Sequence, residues 1–329
     1  MKFLVSFYLT LLFICTFLGY WIAPDNTHFA AQQIPELAQK KPLSFAYLAI
    51  AKKNPSSFFH TFWYGKNPSE IWVLHEKNPF SVISPDTIEL HLLDNQVKKM
   101  KIQELEDLPQ RFIFYLGTDP LGRDIFSRLI IGTRYSVGIA MISIAISIVL
   151  GIFLGLFAGY QGGIWDLVIS GWMNIFWALP SSLLAIGIAY AIGKGFWTLV
   201  IAISSVLWID IARIVRLETI RLKELSFIKA TKVLALSNLR IILFHILPNL
   251  RTPILVVSFS TFTTALILEG SLSFLGLGVT PPAPSWGTLL FDGFYYVALS
   301  SGKWLLFAPA FCLISTVLCI QHLTTLLQK

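Results

Sequence analysis

No Lys, Arg, Asp or Glu occurs in residues 3–24, 135–165, 167–193, 195–209, 252–268 or 304–328 of this 329-residue chain. Most of these runs approach or exceed the roughly 20 apolar residues with which a helix crosses a bilayer core. Charged residues make up 13% of the chain, about half the usual share of a soluble domain. That excludes a water-soluble enzyme, and so much apolar surface also excludes disorder. The chain reads as an all-α polytopic membrane protein with six transmembrane helices, at about 3–22, 136–160, 164–192, 196–215, 252–272 and 303–325. The first reads as a retained span, because its apolar run is long for a signal peptide and no small-residue cleavage site follows closely. Pro180 is expected to kink the third, with Ser181 or Ser182 partly satisfying the freed carbonyl.

The net charge of +7 is local. Residues 24–123 hold 11 basic and 11 acidic side chains, whereas residues 213–251 hold eight basic and two acidic ones. A basic loop between two apolar spans is the mark of a cytoplasmic connection, not of a nucleic-acid footprint. Six spans with that loop inside put both termini in the cytoplasm and residues 24–133 outside. The domains are then a first helix over 1–23, an extracytoplasmic subdomain over 24–133, and a five-helix core over 134–329 with a cytoplasmic loop at 216–250.

Half of the sixteen prolines fall between residues 24 and 115, and Lys-Asn-Pro occurs at 53–55, 66–68 and 77–79. These are turn signals, and they separate short β-branched and aromatic runs such as Ile71-Trp72-Val73-Leu74. The subdomain should therefore consist of short elements. After it, Asp119 is placed to cap a helix with Pro120 in its first turn. Ile125, Phe126, Leu129 and Ile130 then form one apolar face of a short helix in the headgroup region, with Arg123, Arg128 and Arg134 available to phosphates.

Signatures of catalysis are missing. The chain has no phosphate-binding G-x-x-x-x-G-K-[ST], no G-x-S-x-G and no metal-spaced Cys/His cluster. No cofactor and no metal are expected, and Cys15, Cys312 and Cys319 read as small apolar residues within spans. Ser226 is a candidate cap for a helix over about 227–235, and Ser237 or Asn238 for a second one that Pro248 ends before the fifth span. A short helix held between two spans is a mechanical lever, although a solvated basic loop fits the same pattern. Asp210 and Arg213 are spaced to pair at the end of span four. Glu269, at a membrane edge, is a candidate for the pathway or for structural bracing, and Asn174, Ser181 and Ser182 are further pathway candidates.

From Leu116 to Pro309 the chain resembles the inner-membrane permeases of bacterial ABC importers, in the dipeptide, oligopeptide and nickel group. Four blocks carry the likeness. They are Leu116-Gly117-Thr118-Asp119-Pro120-Leu121-Gly122-Arg123-Asp124; the loop Phe227-Ile228-Lys229-Ala230-Thr231-Lys232-Val233-Leu234-Ala235 with its tail His245-Ile246-Leu247-Pro248-Asn249; Glu269 with Ser273 to Gly278; and Pro284-Ser285-Trp286-Gly287.

The resemblance implies a type I importer fold and a non-catalytic subunit of the inner membrane. Its expected partners are a second permease, two cytoplasmic ATPases and an extracytoplasmic solute-binding protein. It implies import of a small solute, chiefly di- or oligopeptides, by alternating access, with nickel or another solute as the alternative within the group. An ion-driven secondary transporter is the rival from outside it. Phe227 to Lys232, Ala235, His245, Pro248 and Asn249 would form the ATPase-coupling loop, and Gly117, Thr118, Asp119, Gly122, Arg123 and Asp124 the periplasmic motif before span two.

Departures from the family pattern are local. Lys229 replaces the usual Glu, which predicts an acidic or neutral ATPase surface opposite it. Ala235 stands where the family has a glycine. Gly171 and Asn174 replace an Arg and an Asp, so an intramembrane ion pair is lost as a unit.

Overall fold

The computed structural model describes residues 2–52, 57–298 and 302–327. The first Lys-Asn-Pro and Lys329 lie outside them. The chain divides into two units: Met1–Leu11, Ser136–Thr280 and Cys312–Lys329 form one, and Leu12–Tyr135 with Pro281–Phe311 the other.

Among the described residues five helical stretches are long and apolar enough to cross a bilayer: Val5–Ile22, Ile125–Gln161, Phe196–Lys223, Asn238–Phe274 and Gly302–Leu327. They belong to helices α1 (Lys2–Ile22), α3 (Ile125–Gln161), α6 (Phe196–Lys223), α9 (Arg251–Phe274, entered through the short α8, Asn238–Ile241) and α11 (Gly302–Leu327). The expected third span is instead two helices, α4 (Gly163–Trp177) and α5 (Ser181–Ile192), bent by 88°. Counting that pair as one span restores the six. The break falls at Pro180, whose ring disfavours helical geometry at Leu179 and which has no N–H to continue the ladder. Ser181 and Ser182 are exposed in the first turn of α5.

The helix expected after Asp124 is not a separate one. It forms the first turns of α3, which runs on to Gln161 because no proline interrupts it. Likewise Pro248 does not end the helix before span five. A π-turn at Ile242–Ile246 and a 3₁₀ turn at Leu247–Leu250 carry the chain into α9, and the Asn249 amide donates to His245 O at 2.6 Å. Altered turns and a polar side chain are the usual ways of re-satisfying a backbone that proline disturbs.

In the first unit the most enclosed element is α6, which packs against α4, α5 and α9. Its contact with α3 is set by three glycines four residues apart. A Cβ at Gly151 would lie 2.7 Å from Ile211 Cβ, at Gly155 2.5 Å from Ala212 O, and at Gly159 2.7 Å from Arg216 O. Helix association in lipid has no hydrophobic force to draw on and depends on such close approach. The same ends are tied by charge. Arg216 forms a bidentate pair with Asp166 of α4, and Lys223 Nζ donates to Tyr160 O at 2.7 Å near the end of α3, where a cation suits the free carbonyls. Between α1 and α11, Tyr8 Oη meets Thr316 Oγ1 at 2.8 Å and Ser315 Oγ at 2.7 Å.

In the second unit the short runs between the proline turns form two antiparallel sheets. One has the order β2-β1-β6, from Ile71–Leu74, Ser44–Ile50 and Gln110–Phe114. The other has the order β3-β4-β5, from Phe80–Ser84, Thr87–His91 and Val97–Lys101. Ile34, Leu37, Ala46, Leu48, Val73 and Phe114 fill the first core, and Ala49, Leu74, Ile88, Leu90 and Leu105 the second. The unit also holds α2 (Phe58–Tyr64) and α10 (Trp286–Tyr295).

A side chain at the centre of the glycine stripe has nowhere to go. Gly155→Leu should separate α3 from α6 and destabilise the chain by about 1–3 kcal/mol or more, the usual cost of overpacking, read as a lower unfolding temperature in detergent; an unchanged temperature would refute the contact.

Candidate functional site

Lys223 ends α6, and the chain turns at Glu224 and Leu225 into α7, Ser226–Val233. Leu225 O accepts from both Ile228 N (3.1 Å) and Lys229 N (3.0 Å). Ser226 is thus the first residue of the helix and not its cap, one position from the expectation. The helix is amphipathic on a small scale. Ile228 and Thr231, three residues apart, are buried, whereas Phe227, Lys229, Ala230 and Val233 are exposed. Ile228 sits in a core cluster with Ile211, Val215 and Leu222 of α6, Ile144 and Leu156 of α3, and Ile241, Ile246 and Leu250 beyond the loop. Tyr160 Oη donates to Asn238 Oδ1 at 2.8 Å, which fixes the start of α8 to the end of α3. One face of α7 is therefore anchored to both flanking spans, while Phe227 and Val233 of the helix and Leu234 just after it stand in the open.

The exit from α7 holds Ala235 in a backbone conformation that favours glycine. Ala235 has φ +53, the left-handed conformation that costs an L residue about 1–2 kcal/mol. Leu236 N reaches back to Thr231 O at 3.2 Å and Leu234 N to Ala230 O at 3.1 Å. The bond from Leu236 to Thr231 is that of a Schellman turn, for which glycine is the preferred residue. Lys232 lies within α7. Lys229 Nζ pairs with Glu224 Oε2 at 2.9 Å, both side chains well exposed, so the pair contributes little to stability. His245, Pro248 and Asn249 lie together in the π and 3₁₀ turns that lead into α9.

The pathway candidates do not form one cluster. Asn174 is exposed and accepts from Arg213 Nη2 at 3.1 Å. The Arg213 guanidinium lies 4.2 Å from the Trp177 ring centre, so Arg213 turns to α4 and not to Asp210. A Cβ at Gly171 would meet nothing within 4 Å. Glu269 is completely buried in α9 and accepts from Ser273 Oγ at 2.8 Å.

In the other unit the Leu116–Asp124 motif is a buried polar knot. Asp119 is fully buried. Its Oδ1 accepts from Leu121 N and Arg123 N, both at 2.9 Å, and its Oδ2 takes Arg123 Nε at 2.6 Å and Arg128 Nη1 at 3.1 Å. Arg128 also lies 3.6 Å from Asp292 of α10. Thr118 Oγ1 accepts from Lys40 N and donates to Leu37 O. Gly117 and Gly122 both have positive φ, and a Cβ on either would strike a backbone carbonyl, of Lys40 and Ile34 respectively. Asp124, not Asp119, caps α3, for its Oδ2 accepts from Ser127 N at 2.9 Å. The arginines are not free for headgroup phosphates either. Arg123 and Arg128 are taken by Asp119, and Arg134 donates to Phe62 O at 3.0 Å. Burial raises the carboxyls of Asp25 and Asp292 above the ordinary range and Asp124 to about 6, the last with help from nearby Asp25.

Sequence reasoning missed the Gly151, Gly155, Gly159 stripe, although three glycines at four-residue spacing in an apolar run are a readable signal. It also missed Asp166 with Arg216, for which no local signal exists.

Residues 151–329 match the model of the binding-protein-dependent transport system inner membrane component. The chain is 38% identical over 204 residues to the oligopeptide transport system permease protein OppC of Bacillus subtilis, covering 62% of this chain and 66% of that one. It is 39% identical over 204 residues to the dipeptide transport system permease protein DppC of Alkalihalophilus pseudofirmus, with the same coverage, and 39% identical over 176 residues to the glutathione transport system permease protein GsiD of Escherichia coli, covering 54% and 58%. The chain thus spans just under two thirds of the first two relatives. A structure of the MetNI methionine ABC transporter in an inward-facing conformation aligns over 61% of this chain and 94% of that one, with TM-score 0.50 and 17% identity, a likeness of fold.

Two measurements probe the site. Ala235→Gly should relieve the left-handed residue and stabilise α7 by about 1 kcal/mol, seen as slower hydrogen exchange over Ser226–Val233; faster exchange would refute the strain. Because the folded chain holds the Asp124 proton more tightly than the unfolded one, stability should fall as pH rises from about 4 to about 6. Asp124→Asn keeps the helix cap and should flatten that slope; an identical slope would clear Asp124.

Proposed function

We infer the function from one premise: the chain belongs to the family of binding-protein-dependent transport system inner membrane components. On that premise it is the permease subunit of an ATP-driven importer of the bacterial inner membrane, and its solute is a di- or oligopeptide. It hydrolyses nothing itself. A second permease completes the pore, two cytoplasmic ATPases drive it, and an extracytoplasmic binding protein delivers the solute. The loop over 216–250 and both termini face the cytoplasm, and residues 24–133 face outward.

The observation that carries this reading is the mounting of α7. An isolated eight-residue helix is not stable in water; this one is held by Ile228 and Thr231, between α6 and the α8–α9 stretch. Phe227 and Val233 on it, and Leu234 just after it, are uncovered. Such a helix suits docking in a groove on an ATPase, as the helix-in-groove mode requires. Force on that helix would tilt the spans on either side, which is what alternating access needs from a coupling element. Transport as the role of Asn174, Ser181, Ser182 or Glu269 rests on position alone.

Val233 is 86% exposed, so a charge there should leave the fold intact. Val233→Asp is expected to abolish peptide uptake and solute-stimulated ATP hydrolysis in the reconstituted transporter while leaving the unfolding temperature unchanged. Full uptake by that variant would overturn the coupling role. Lys229→Glu should also weaken coupling, since it places a second carboxylate beside Glu224 and presents the wrong sign to an acidic ATPase surface; unchanged coupling would remove the acidic surface from the proposal.

A further inference from the structure

The helix α2 has the sequence Phe-Phe-His-Thr-Phe-Trp-Tyr, and no residue of it is buried. Phe58, Phe59, Trp63 and Tyr64 all present more than half of their surface. A folded subdomain in water would not leave four large aromatic rings uncovered side by side, and a patch of this kind marks an interaction site.

Its position says what covers it. Phe13, Phe17 and Trp21 recur every four residues on one exposed face of α1, the bilayer-facing stripe of a spanning helix. Phe13 and Phe17 are in contact, with ring centres 4.5 Å apart. At the top of the stripe Trp21 meets Phe58 edge-to-face at 5.6 Å, and Phe58 meets Phe59 at 6.1 Å. The lipid-facing surface of α1 thus continues without a break onto α2.

The mounting of α2 fits the same occupant. Its carbonyl side is held to the fold by Arg134 Nη1 on Phe62 O and by His28 Nδ1 against Tyr64 O. The Arg134 guanidinium lies 4.7 Å from the Trp63 ring centre and 5.5 Å from that of Tyr20. Aromatic rings beside a cation, next to the end of a spanning helix, are the composition of a membrane–water interface belt. We propose that α2 is an interfacial anchor. It lies in the headgroup region of the outer leaflet and ties the subdomain between α1 and α3 to the bilayer surface beside α1.

The test is tryptophan quenching in the full chain, with its co-purifying subunits, reconstituted in phosphatidylethanolamine and phosphatidylglycerol vesicles. The Trp63 contribution is the difference between the unaltered chain and Trp63→Phe. Lipids brominated close to the headgroup should remove most of that contribution, lipids brominated near the chain end less, and aqueous iodide least. Quenching by iodide but not by brominated lipid would overturn the proposal, because α2 would then stand in water. Quenching by neither would overturn it too, because a protein partner would then cover the patch. Should Trp63→Phe lower the yield, Phe59→Trp on the otherwise unchanged chain reads the same surface with the same outcomes.

Discussion

The backbone contact between α3 and α6 is the constraint on which the five-helix region rests. Lipid tails are as apolar as the helices they surround, so burial of apolar side chains gives no net reason for two helices to associate there. What remains is close packing and polar pairing, and Gly151, Gly155 and Gly159 bring α3 within touching distance of Ile211, Ala212 and Arg216. Only at that distance can Lys223 reach the carbonyl of Tyr160 and the ends of α3 and α6 build one floor beneath the loop. Ile228 then joins one apolar cluster with Leu156, Ile211, Val215 and Leu222. A loop that is basic and short in sequence acquires a rigid mount in this way.

Charge is used differently in the subdomain. The residues of the Leu116–Asp124 motif are polar enough to suggest solute or headgroup contact, yet Thr118, Asp119 and Asp124 are all buried. Asp119 is surrounded by two backbone N–H groups and two guanidinium groups, and loss of both guanidinium groups would leave a buried charge uncompensated. Arg128 carries the arrangement to Asp292 of α10. Two sequence blocks far apart in the chain, Leu116–Asp124 and the segment after Pro284, are thus parts of one structural knot. Its chemistry is that of a clamp.

The membrane spans are legible because apolar length needs no context to be read. Breaks within helices are less so. Pro180 and Pro248 both stand in apolar runs, but one precedes an 88° bend and the other is absorbed by a π-turn and a 3₁₀ turn. The neighbouring polar side chain differs between them. Asn249 returns a hydrogen bond to His245 O, whereas Ser181 and Ser182 are exposed at the start of a new helix. Spacing alone favours Asp119 as the cap of α3 where the fold uses Asp124, because both precede helix-compatible residues. Only the carbonyls packed against Gly117 and Gly122 decide where the turn ends. Ala235 is legible as a cost without its conformation, because a glycine position is a backbone statement.

The sequence by itself determined where the long apolar runs fall, where the basic loop lies, and that a short helix comes after Lys223, since each depends on composition and periodicity along the chain. Tertiary structure alone decided which charges meet. Asp166 finds Arg216, Arg213 prefers Asn174 and Trp177 to Asp210, and Arg134 serves the aromatic helix α2 in place of a phosphate. Pairing of charges is a property of distance in space, and no local spacing encodes it.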